Sequence, residues 1–403
     1  MRLVKNKSMP SHGWLVLILG AIAAMVPLSI DMYLPAFPRI AADLGVDVGE
    51  VQWTLSIFMI GMAVGQTVYG TLADRFGRRA PLLLGMALFT LGTAGCALAG
   101  SVQSLIGWRL GVALGGSAGM VITRAIVRDR FDELESAHFY STLMLVMGVA
   151  PILAPLIGGQ LLLLTSWRGI FWLIGVFGAA CLTAVWWTLP ETMPTEKRVR
   201  HNARQIAATY WGLLTHRQFM GYVLAVSCTS GVLFAYIAGS PTLFIEQYGV
   251  SAQAFGIFFG ANAAGLILTS QLNRGLLKRF SSRQILLACY SLNTVATLLL
   301  LAQVLTGWGG FPLALVFLWL SIASAGLIFP NSTALAMSPV GQAAGSASAL
   351  MGMLQYAVGG IMASLVGALH DGTGRPMAIV IAATSVCGWI FLRSLTRDER
   401  ISG

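Results

Sequence analysis

The sequence predicts an all-α polytopic membrane protein, with twelve transmembrane helices in two pseudo-symmetric six-helix halves. Composition carries much of this prediction, because 56% of the 403 residues are hydrophobic and only 10% are charged. An average soluble domain has about 25% charged residues. A membrane-spanning helix needs about 20 apolar residues, and the chain is long enough for twelve of them with short loops. An ordinary soluble enzyme is therefore excluded.

Apolar runs follow one another along the chain, and glycine, with 46 residues, is spread through them as expected where membrane helices pack closely. A polar stretch, residues 190–217, separates the first six runs from the last six. It predicts an N-terminal half over residues 1–190, a cytoplasmic linker over 191–217 and a C-terminal half over 218–403. The twelve runs are 14–37, 52–72, 80–100, 103–126, 138–163, 167–189, 218–245, 252–273, 284–304, 310–332, 343–369 and 376–394.

The distribution of Lys and Arg predicts the orientation of the chain. With both termini on the cytoplasmic side of a bacterial inner membrane, 20 of the 25 basic residues lie in cytoplasmic segments and three lie on the other side. Cytoplasmic loops of membrane proteins carry such an excess. The net charge of +10 is therefore interpreted as an orientation signal, and we expect no nucleic acid as a partner.

A short internal repeat relates the two halves. Four residues of the segment 70–79, after the second run, recur at the same spacing in the segment 274–283, after the eighth run. Related halves are typical of transporters, whose binding sites lie between the repeats. The recurring pairs are Leu72 and Leu276, Arg75 and Arg279, Phe76 and Phe280, and Arg79 and Arg283.

The motifs of ATP binding and of zinc catalysis are missing from the sequence. No lysine follows a glycine, so the phosphate-binding Gly-Lys of a Walker A loop is absent, as are an HExxH motif and a zinc-spaced Cys/His cluster. The five cysteines lie in apolar runs and are expected to be small core residues. We therefore expect no enzyme, no ATP, no metal and no cofactor, with a proton gradient as the energy source.

Asp31 is the one acidic residue set well inside an apolar run, where burying a carboxylate is costly. Burial favours its neutral form and a nearby arginine favours its charged form, so it is suited to proton coupling. Arg109 in the fourth run is the predicted partner, since both residues lie about 9 Å below the outer helix ends at 1.5 Å per residue. Alternatively, Asp31 makes a structural ion pair or caps a kink at Pro27 and Pro35, and Arg109 only packs its helix.

The loop after the second run is interpreted as a conformational element. Two of its glycines permit tight turns, and its acid can face a helix N-terminus or an arginine, in pairs that form and break as the halves rock. The alternative is simple anchoring by positive charge. The residues in question are Gly70, Asp74, Arg75, Gly77, Arg78 and Arg79.

The fifth run combines prolines, which free backbone carbonyls and bend a helix, with glycines, which permit close helix contact. Such a helix can seal one leak path between the halves, or it is an ordinary bent packing helix. Its residues are Gly148, Pro151, Pro155, Gly158 and Gly159.

Soft and aromatic side chains near the middle of the runs are candidates for lining a cargo cavity, which suits a small amphipathic drug. Each of them is also compatible with plain packing or with hydrogen bonding between helices. The candidates are Tyr33, Met147, Tyr236, Asn331, Gln355 and Tyr356.

These segments resemble the major facilitator superfamily, and within it the drug:proton antiporters of the bicyclomycin-resistance and CflA group. The most specific segments are 27–35 with the sequence PLSIDMYLP, the loop 70–79, and 148–159 with the sequence GVAPILAPLIGG, which is similar to the antiporter signature. The resemblance covers nearly the whole chain and implies the major facilitator fold.

The resemblance implies that Asp31 is the membrane-embedded acid and that Arg109 takes the place of the signature arginine of proton coupling. It further implies multidrug efflux in exchange for protons, and so antibiotic resistance, with bicyclomycin, phenicol or sulfonamide cargoes. The alternative is a proton-coupled transporter of a small metabolite or peptide on the same fold. A single chain suffices for either, so we expect a monomer in the lipid bilayer.

Overall fold

The computed structural model describes residues 12–130, 133–193, 203–340 and 344–396. In this part the chain forms fourteen α-helices and no β-strand. The helices are α1 (His12–Asp31), α2 (Phe37–Leu44), α3 (Val48–Phe76), α4 (Arg79–Ala97), α5 (Val102–Arg130), α6 (Glu133–Leu164), α7 (Trp167–Thr188), α8 (Ala203–Thr215), α9 (Arg217–Pro241), α10 (Ala252–Leu276), α11 (Ser282–Thr306), α12 (Gly310–Met337), α13 (Ala344–Ala368) and α14 (Arg375–Leu395).

The helices are long and apolar enough to cross a membrane. Eleven segments of the described chain meet this condition by length and composition. The twelfth crossing is α6, which has 32 residues and whose stretch Gly148–Leu164 is apolar as well. The predicted all-α polytopic fold is confirmed. The short helix α8 lies inside the predicted linker, of which residues 194–202 lie outside the described chain.

The first crossing is broken within the apolar run 14–37, in which the sequence predicts a kink at Pro27 and Pro35. Helix α1 ends at Asp31, a 3₁₀ turn follows over Leu34–Ala36, and α2 then continues to Leu44. Pro27 lies inside α1 and Pro35 lies in the 3₁₀ turn. Because proline lacks a backbone N–H and disfavours a helical residue before it, the prolines account for the break. The buried acid Asp31 therefore sits at a helix end.

Capping residues set helix ends that an apolar run cannot reveal. The second crossing, predicted over 52–72, extends over Val48–Phe76 because Asp47 caps its start by accepting from the Gly49 N–H at 2.7 Å. Gly77 ends it with φ +87°, a backbone conformation that favours glycine. Caps are polar, so counting apolar residues misses the first and last turns.

The helices form two bundles, α1–α7 and α9–α14, that meet along two helix pairs. Helix α3 packs on α13, and α6 packs on α10. Small residues permit this closeness, since a Cβ at Gly256 would lie 2.7 Å from the backbone nitrogen of Leu156. At the interface between the halves, the helix backbones thus come into close contact.

The bundle has two chemically different ends. We call the end formed by the α3–α4 loop, residues 77–78, and the α10–α11 loop, residues 277–281, the basic end. The opposite end is formed by residues 32–47, between α1 and α3, and by residues 369–374, between α13 and α14. Helix α3 runs from the opposite end to the basic end, and α13 runs the other way.

Candidate functional site

Arg109 of α5 lies in the middle of the N-terminal half and is fully buried. Its Nη1 donates to the carbonyl oxygen of Ser29 at 3.0 Å and to the Ser29 hydroxyl at 2.9 Å, and its Nη2 donates to the Tyr33 hydroxyl at 3.3 Å. Its Nε is 3.5 Å from the Thr54 carbonyl. The guanidinium is thereby bonded to α1, to the turn after it and to α3.

Aromatic rings cover the guanidinium of Arg109. Its central carbon lies 4.5 Å from the ring centroid of Tyr33 and 4.3 Å from that of Phe58. A cation over an aromatic face is stabilised electrostatically, and more strongly when both are removed from water. Tyr33, predicted to line a cargo cavity, is instead packed in this network, with its hydroxyl 3.0 Å from that of Thr54.

Asp31 and Arg109 do not form the expected ion pair. Among the described residues Arg109 bonds to Ser29, Tyr33 and Thr54, while Asp31 is buried and its Oδ1 has no hydrogen-bond partner. Equal depth along two helices does not fix the rotation of each helix about its axis. Side chains two residues apart on a helix point about 200° apart, so Ser29 faces α5 whereas Asp31 faces away from it.

Asp31 lies within electrostatic range of the C-terminal half. It is near Tyr236 of α9, whose hydroxyl also lies near the amide of Asn262 in α10. The Tyr236 hydroxyl, the Asn262 Oδ1 and the Asp31 Oδ1 are all buried without a hydrogen-bond partner among the described residues. Buried polar atoms are nearly always bonded in native proteins. Three such atoms on both sides of the interface between the halves mark a place where a polar ligand group or a proton can bind.

The surroundings of Tyr236 are aromatic. Its ring stacks on Phe259 at a centroid distance of 5.3 Å, and Phe259 stacks in turn on Phe255 at 5.6 Å. Asn262 follows on the same helix and donates to the carbonyl of Phe258 at 3.0 Å. Sequence reasoning identified Tyr236 but missed Asn262, although an amide in the middle of the apolar run 252–273 is a signal of the same kind.

The other predicted lining residues have different environments. Asn331 donates to Asn273 Oδ1 at 2.7 Å and so joins α12 to α10, the hydrogen-bonding alternative. Gln355 accepts from Ser230 at 3.4 Å, which joins α13 to α9. The Tyr356 hydroxyl lies 3.5 Å from the Met120 sulfur across the two halves. The side chain of the remaining candidate, Met147, lies outside the described residues.

The loop at the basic end forms a charge network within the N-terminal half. Arg78 is buried and makes ion pairs of 2.8 Å with Asp74 and with Asp129 of α5. Glu191, after α7, accepts from the backbone N–H groups of Arg78 at 2.8 Å and of Arg79 at 3.2 Å. The expected contact of Asp74 with Arg78 is present, whereas Asp129 and Glu191 were not predicted, since they lie far away in sequence.

The remaining loop residues divide into two kinds. A Cβ at Gly77 would meet the Glu191 carboxylate, so glycine is required there both by space and by φ. Gly70, in contrast, lies inside α3 with open space around it, and the expectation of a tight turn there is wrong. The guanidinium of Arg75 lies 5.2 Å from the Phe76 ring, and Arg79 donates to the Leu189 carbonyl at 2.8 Å.

The glycines of α6 lie against both halves. A Cβ at Gly158 would overlap the carbonyl oxygen of Met32, just after α1, and one at Gly159 would lie 2.5 Å from the Ala252 carbonyl of α10. Gln253 donates to the Gly159 carbonyl at 3.2 Å. Gly148 faces Ile267 of α10. The prolines of the same segment, Pro151 and Pro155, lie inside the helix. Through Gly158 and Gly159, α6 contacts both the segment after α1 and the start of α10 at the opposite end.

Two bundles of membrane-crossing helices meet near a buried carboxyl whose Oδ1 has no hydrogen-bond partner among the described residues. This arrangement defines a polytopic membrane transporter rather than an enzyme. The sequence model of the Major Facilitator Superfamily matches residues 19–364. The chain belongs to the Major Facilitator Superfamily. Confirmation of the fold also comes from the D-xylose-proton symporter, whose crystal structure superposes with a TM-score of 0.78 at 13% identity over 96% of this chain and 98% of that one.

Several relatives are similar over nearly their whole length. An uncharacterized transporter of this superfamily from Bacillus subtilis, YdgK, is 36% identical over 96% of both chains. A bicyclomycin resistance protein homolog from Haemophilus influenzae is 32% identical over 96% of this chain and 97% of its own. A chloramphenicol resistance protein from Pseudomonas aeruginosa is 27% identical over 88% of this chain and 83% of its own.

Proposed function

We propose that this transporter exports small drug-like molecules across the bacterial inner membrane in exchange for protons. The observation that carries the proposal is the buried Asp31 carboxyl, whose Oδ1 has no hydrogen-bond partner among the described residues. A charged carboxylate in that environment is costly, so a proton or a polar cargo group that reaches it is bound strongly. The names of the bicyclomycin and chloramphenicol resistance relatives support drug export.

Competition between the proton and the cargo for Asp31 couples proton entry to drug export. A proton that binds Asp31 removes the charge that holds the polar part of the cargo, and loss of the proton restores it. Tyr236 and Asn262 supply a hydroxyl and an amide oxygen that are also unpartnered. The cargo is thus expected to bridge the halves between Asp31 and these two side chains, with its apolar part on the rings of Phe255 and Phe259.

Arg109 acts on this site through α1, as a positioning residue. Helix α1 ends at Asp31, so the Ser29 carbonyl lacks the N–H partner that a continuing helix supplies. Arg109 bonds the Ser29 carbonyl and the Tyr33 hydroxyl on either side of the break. These bonds fix the orientation of the segment that carries Asp31.

Alternating access requires that one end closes while the other opens. The opposite end is closed here by the approach of Gly49 in α3 to Gly367 in α13 and of Gly159 in α6 to Ala252 in α10. We assign the basic end to the cytoplasm from the 20 basic residues of its segments. In that orientation this conformation is closed toward the outside and would release its proton to the cytoplasm.

The test compares a pump-deficient bacterium that expresses this chain with one that expresses Asp31→Asn at equal membrane level. We expect resistance to at least one of bicyclomycin, chloramphenicol, florfenicol, sulfathiazole, tetracycline and ethidium, and we expect the variant to lose it. Glu50→Gln, at an exposed acid of α3, is the matched control and keeps resistance.

Two other outcomes contradict the proposal. Gradient-dependent efflux by Asp31→Asn would remove Asp31 from proton coupling. An expressed wild-type chain that confers no resistance would favour the alternative of a small metabolite or peptide as cargo, which accumulation assays in the same cells then test.

A further inference from the structure

A second group of titratable residues joins the two halves at the opposite end. It consists of Asp47, the N-cap of α3, of His370, which follows α13, and of Glu246 in the π-helical segment after α9. Asp47 belongs to the N-terminal half, whereas His370 and Glu246 belong to the C-terminal half. We call these three residues the histidine cluster.

The imidazole of His370 lies between the two carboxylates. Its Nδ1 is 2.7 Å from Oδ1 of Asp47, and its Nε2 is 3.6 Å from Oε2 of Glu246. The His370 side chain is 7% exposed, while those of Asp47 and Glu246 are 63% and 23% exposed. The histidine is thus buried in the contact between the halves, and water still reaches the carboxylates from outside.

The protonation state of His370 decides whether both contacts are favourable. A neutral imidazole has one N–H donor, and a protonated one has two. If Nδ1 donates to Asp47, the neutral ring directs a lone pair from Nε2 at Glu246, and Nε2 indeed has no hydrogen-bond partner among the described residues. Only the protonated ring offers a donor to each carboxylate. The carboxylates of Glu246 and Asp47 accordingly raise the pKa of His370 above its ordinary value, although burial opposes them.

Neighbouring polar groups connect the histidine cluster to the interface between the halves. The Thr242 hydroxyl donates to Glu246 Oε1 at 3.0 Å, and Gln52 of α3 donates to the Thr242 hydroxyl at 3.3 Å. A Cβ at Gly49 would meet the Gly367 carbonyl and the His370 Cβ. Opening this end must therefore separate His370 from Asp47.

Other charged groups near this end have different environments. Glu50 of α3 and Arg375 of α14 are exposed, and Asp371 accepts from Thr373. Asp43 pairs with Arg168 at 2.5 Å. In the part of the chain that the structure describes, His370 is the basic group in ion-pair contact with Asp47 and Glu246.

We propose that His370 is a second proton-binding site, which latches the halves together at the opposite end when it is protonated. The site is independent of Asp31, and the inference rests on the proposed function only in taking the opposite end to face the outside. The sign follows from linkage. Opening separates His370 from Asp47 and leaves Glu246 beside it, so the pKa of His370 is lower in the open state and the closed state binds the proton more strongly.

Protonation therefore favours closure. This contribution is fully present below the pKa that His370 has in the open state, and it is lost as the pH rises through the higher pKa of the closed state. The closed-to-open ratio changes about tenfold for each unit by which the two pKa values differ. External acid would thus hold the transporter closed toward the outside.

The test measures the distance between the halves without using transport. Leu164 at the end of α6 and Trp308 after α11 lie at the opposite end on different halves and are 85% and 63% exposed. Spin labels at Leu164→Cys and Trp308→Cys, in a chain whose five native cysteines are replaced by alanine, report opening in lipid nanodiscs. We expect the short-distance fraction to rise as the pH falls from about 8 to about 5.5, across the range in which histidine titrates.

Variants decide whether His370 is the titrating group. His370→Gln should remove the pH response, and so should Asp47→Asn, which keeps an N-cap for α3 because Asn caps as well as Asp. His216→Asn, at the N-cap of α9, is the control and keeps the response. If His370→Gln fails to fold, Asp47→Asn carries the test.

Two results would overturn the latch: a wild-type protein whose distances ignore pH, or a His370→Gln or Asp47→Asn protein that responds as the wild type does. Neither result bears on Asp31. Conversely, an Asp31→Asn protein that still pumps with the proton gradient would contradict the proposed function and leave the latch intact, so the two failures are distinguishable.

Discussion

Arg109 donates through one nitrogen to both the carbonyl and the hydroxyl oxygen of Ser29, at 3.0 and 2.9 Å. Ser29 and Tyr33, the other α1-side partner of Arg109, are four residues apart and share the side of the segment that faces α5. Asp31 lies between them in sequence and on the other side. Arg109 bonds the backbone of α1, and the same helix carries Asp31. The arginine and the acid are therefore coupled through α1 and not through an ion pair.

The first prediction concerns the several N–H donors of the Arg109 guanidinium. Arg109→Lys replaces a planar group that bonds Ser29, Tyr33 and Thr54 with a single ammonium, which cannot reach all three. We expect insertion into the membrane to be retained and efflux to be lost, as measured by drug accumulation in cells at matched expression. Arg375→Lys, at an exposed position, should accumulate as little drug as the wild type; full efflux by Arg109→Lys would contradict the positioning role.

Ser29→Ala provides a milder test of the same contact. It removes the hydroxyl acceptor while the Ser29 carbonyl still accepts from Arg109. A hydrogen bond to a charged group contributes about 1.5 to 3 kcal/mol, and we expect a loss of stability at the low end of that range. Thermal unfolding in detergent measures it, and an unchanged melting temperature would mean that the hydroxyl contributes nothing.

Much of the fold could be predicted from the sequence, because the number of membrane-crossing helices depends on composition. Each apolar run shows that composition over its whole length. The twelve crossings and the contact of Asp74 with Arg78 follow from such local patterns. Depth along a helix was also predictable, which is why Asp31 and Arg109 were placed at the same level. Rotation about the axis was not, since it depends on which neighbour each side of α1 contacts.

Partners that lie far apart in the chain were missed for the same reason. Asp129 and Glu191 join the loop at the basic end, and Asp31 comes within electrostatic range of Tyr236 only because the two halves are folded together. His370 lies in a short connection without an apolar pattern. A single sequence carries no signal of such pairings, whereas the residue types themselves, polar groups in apolar runs, were visible.

The second prediction concerns the ion pairs of Arg78 with Asp74 and Asp129. Arg78→Gln removes the ion pair with each of the two carboxylates, and breaking a buried pair costs about 3 to 5 kcal/mol. We expect a clear fall in the free energy of unfolding, at the low end of that range because the carboxylates are partly exposed. The double variant with Asp129→Asn should recover part of the loss, since one unpaired charge is removed; strictly additive effects would contradict the network.

The third prediction compares two glycines of the predicted motifs. Gly158→Ala places a methyl group on the Met32 carbonyl and must push α6 away from the segment after α1. We expect reduced stability and lost efflux. Gly70→Ala meets open space inside α3 and gains helix propensity, by about 0.5 to 1 kcal/mol. Thermal unfolding of the two variants side by side checks the contrast, and a Gly158→Ala protein as stable as Gly70→Ala would contradict the close contact.

The last prediction separates binding from packing at Tyr236. Its hydroxyl has no hydrogen-bond partner among the described residues, whereas that of Tyr290 donates to the Ala225 carbonyl at 2.8 Å. Tyr236→Phe keeps the stacking on Phe259 and removes only the unpartnered group. We therefore expect unchanged or slightly higher thermal stability, because an unsatisfied buried polar atom is costly, together with weaker resistance if the hydroxyl binds cargo.

Tyr290→Phe should show the reverse, with lower stability and little change in cargo preference, because it breaks a bond inside the C-terminal half. Melting temperatures and drug susceptibility of both variants, at matched expression, measure the two effects. Equal losses of stability in the two variants would mean that Tyr236 is a packing residue, and the proposed cargo site would then lose its C-terminal side.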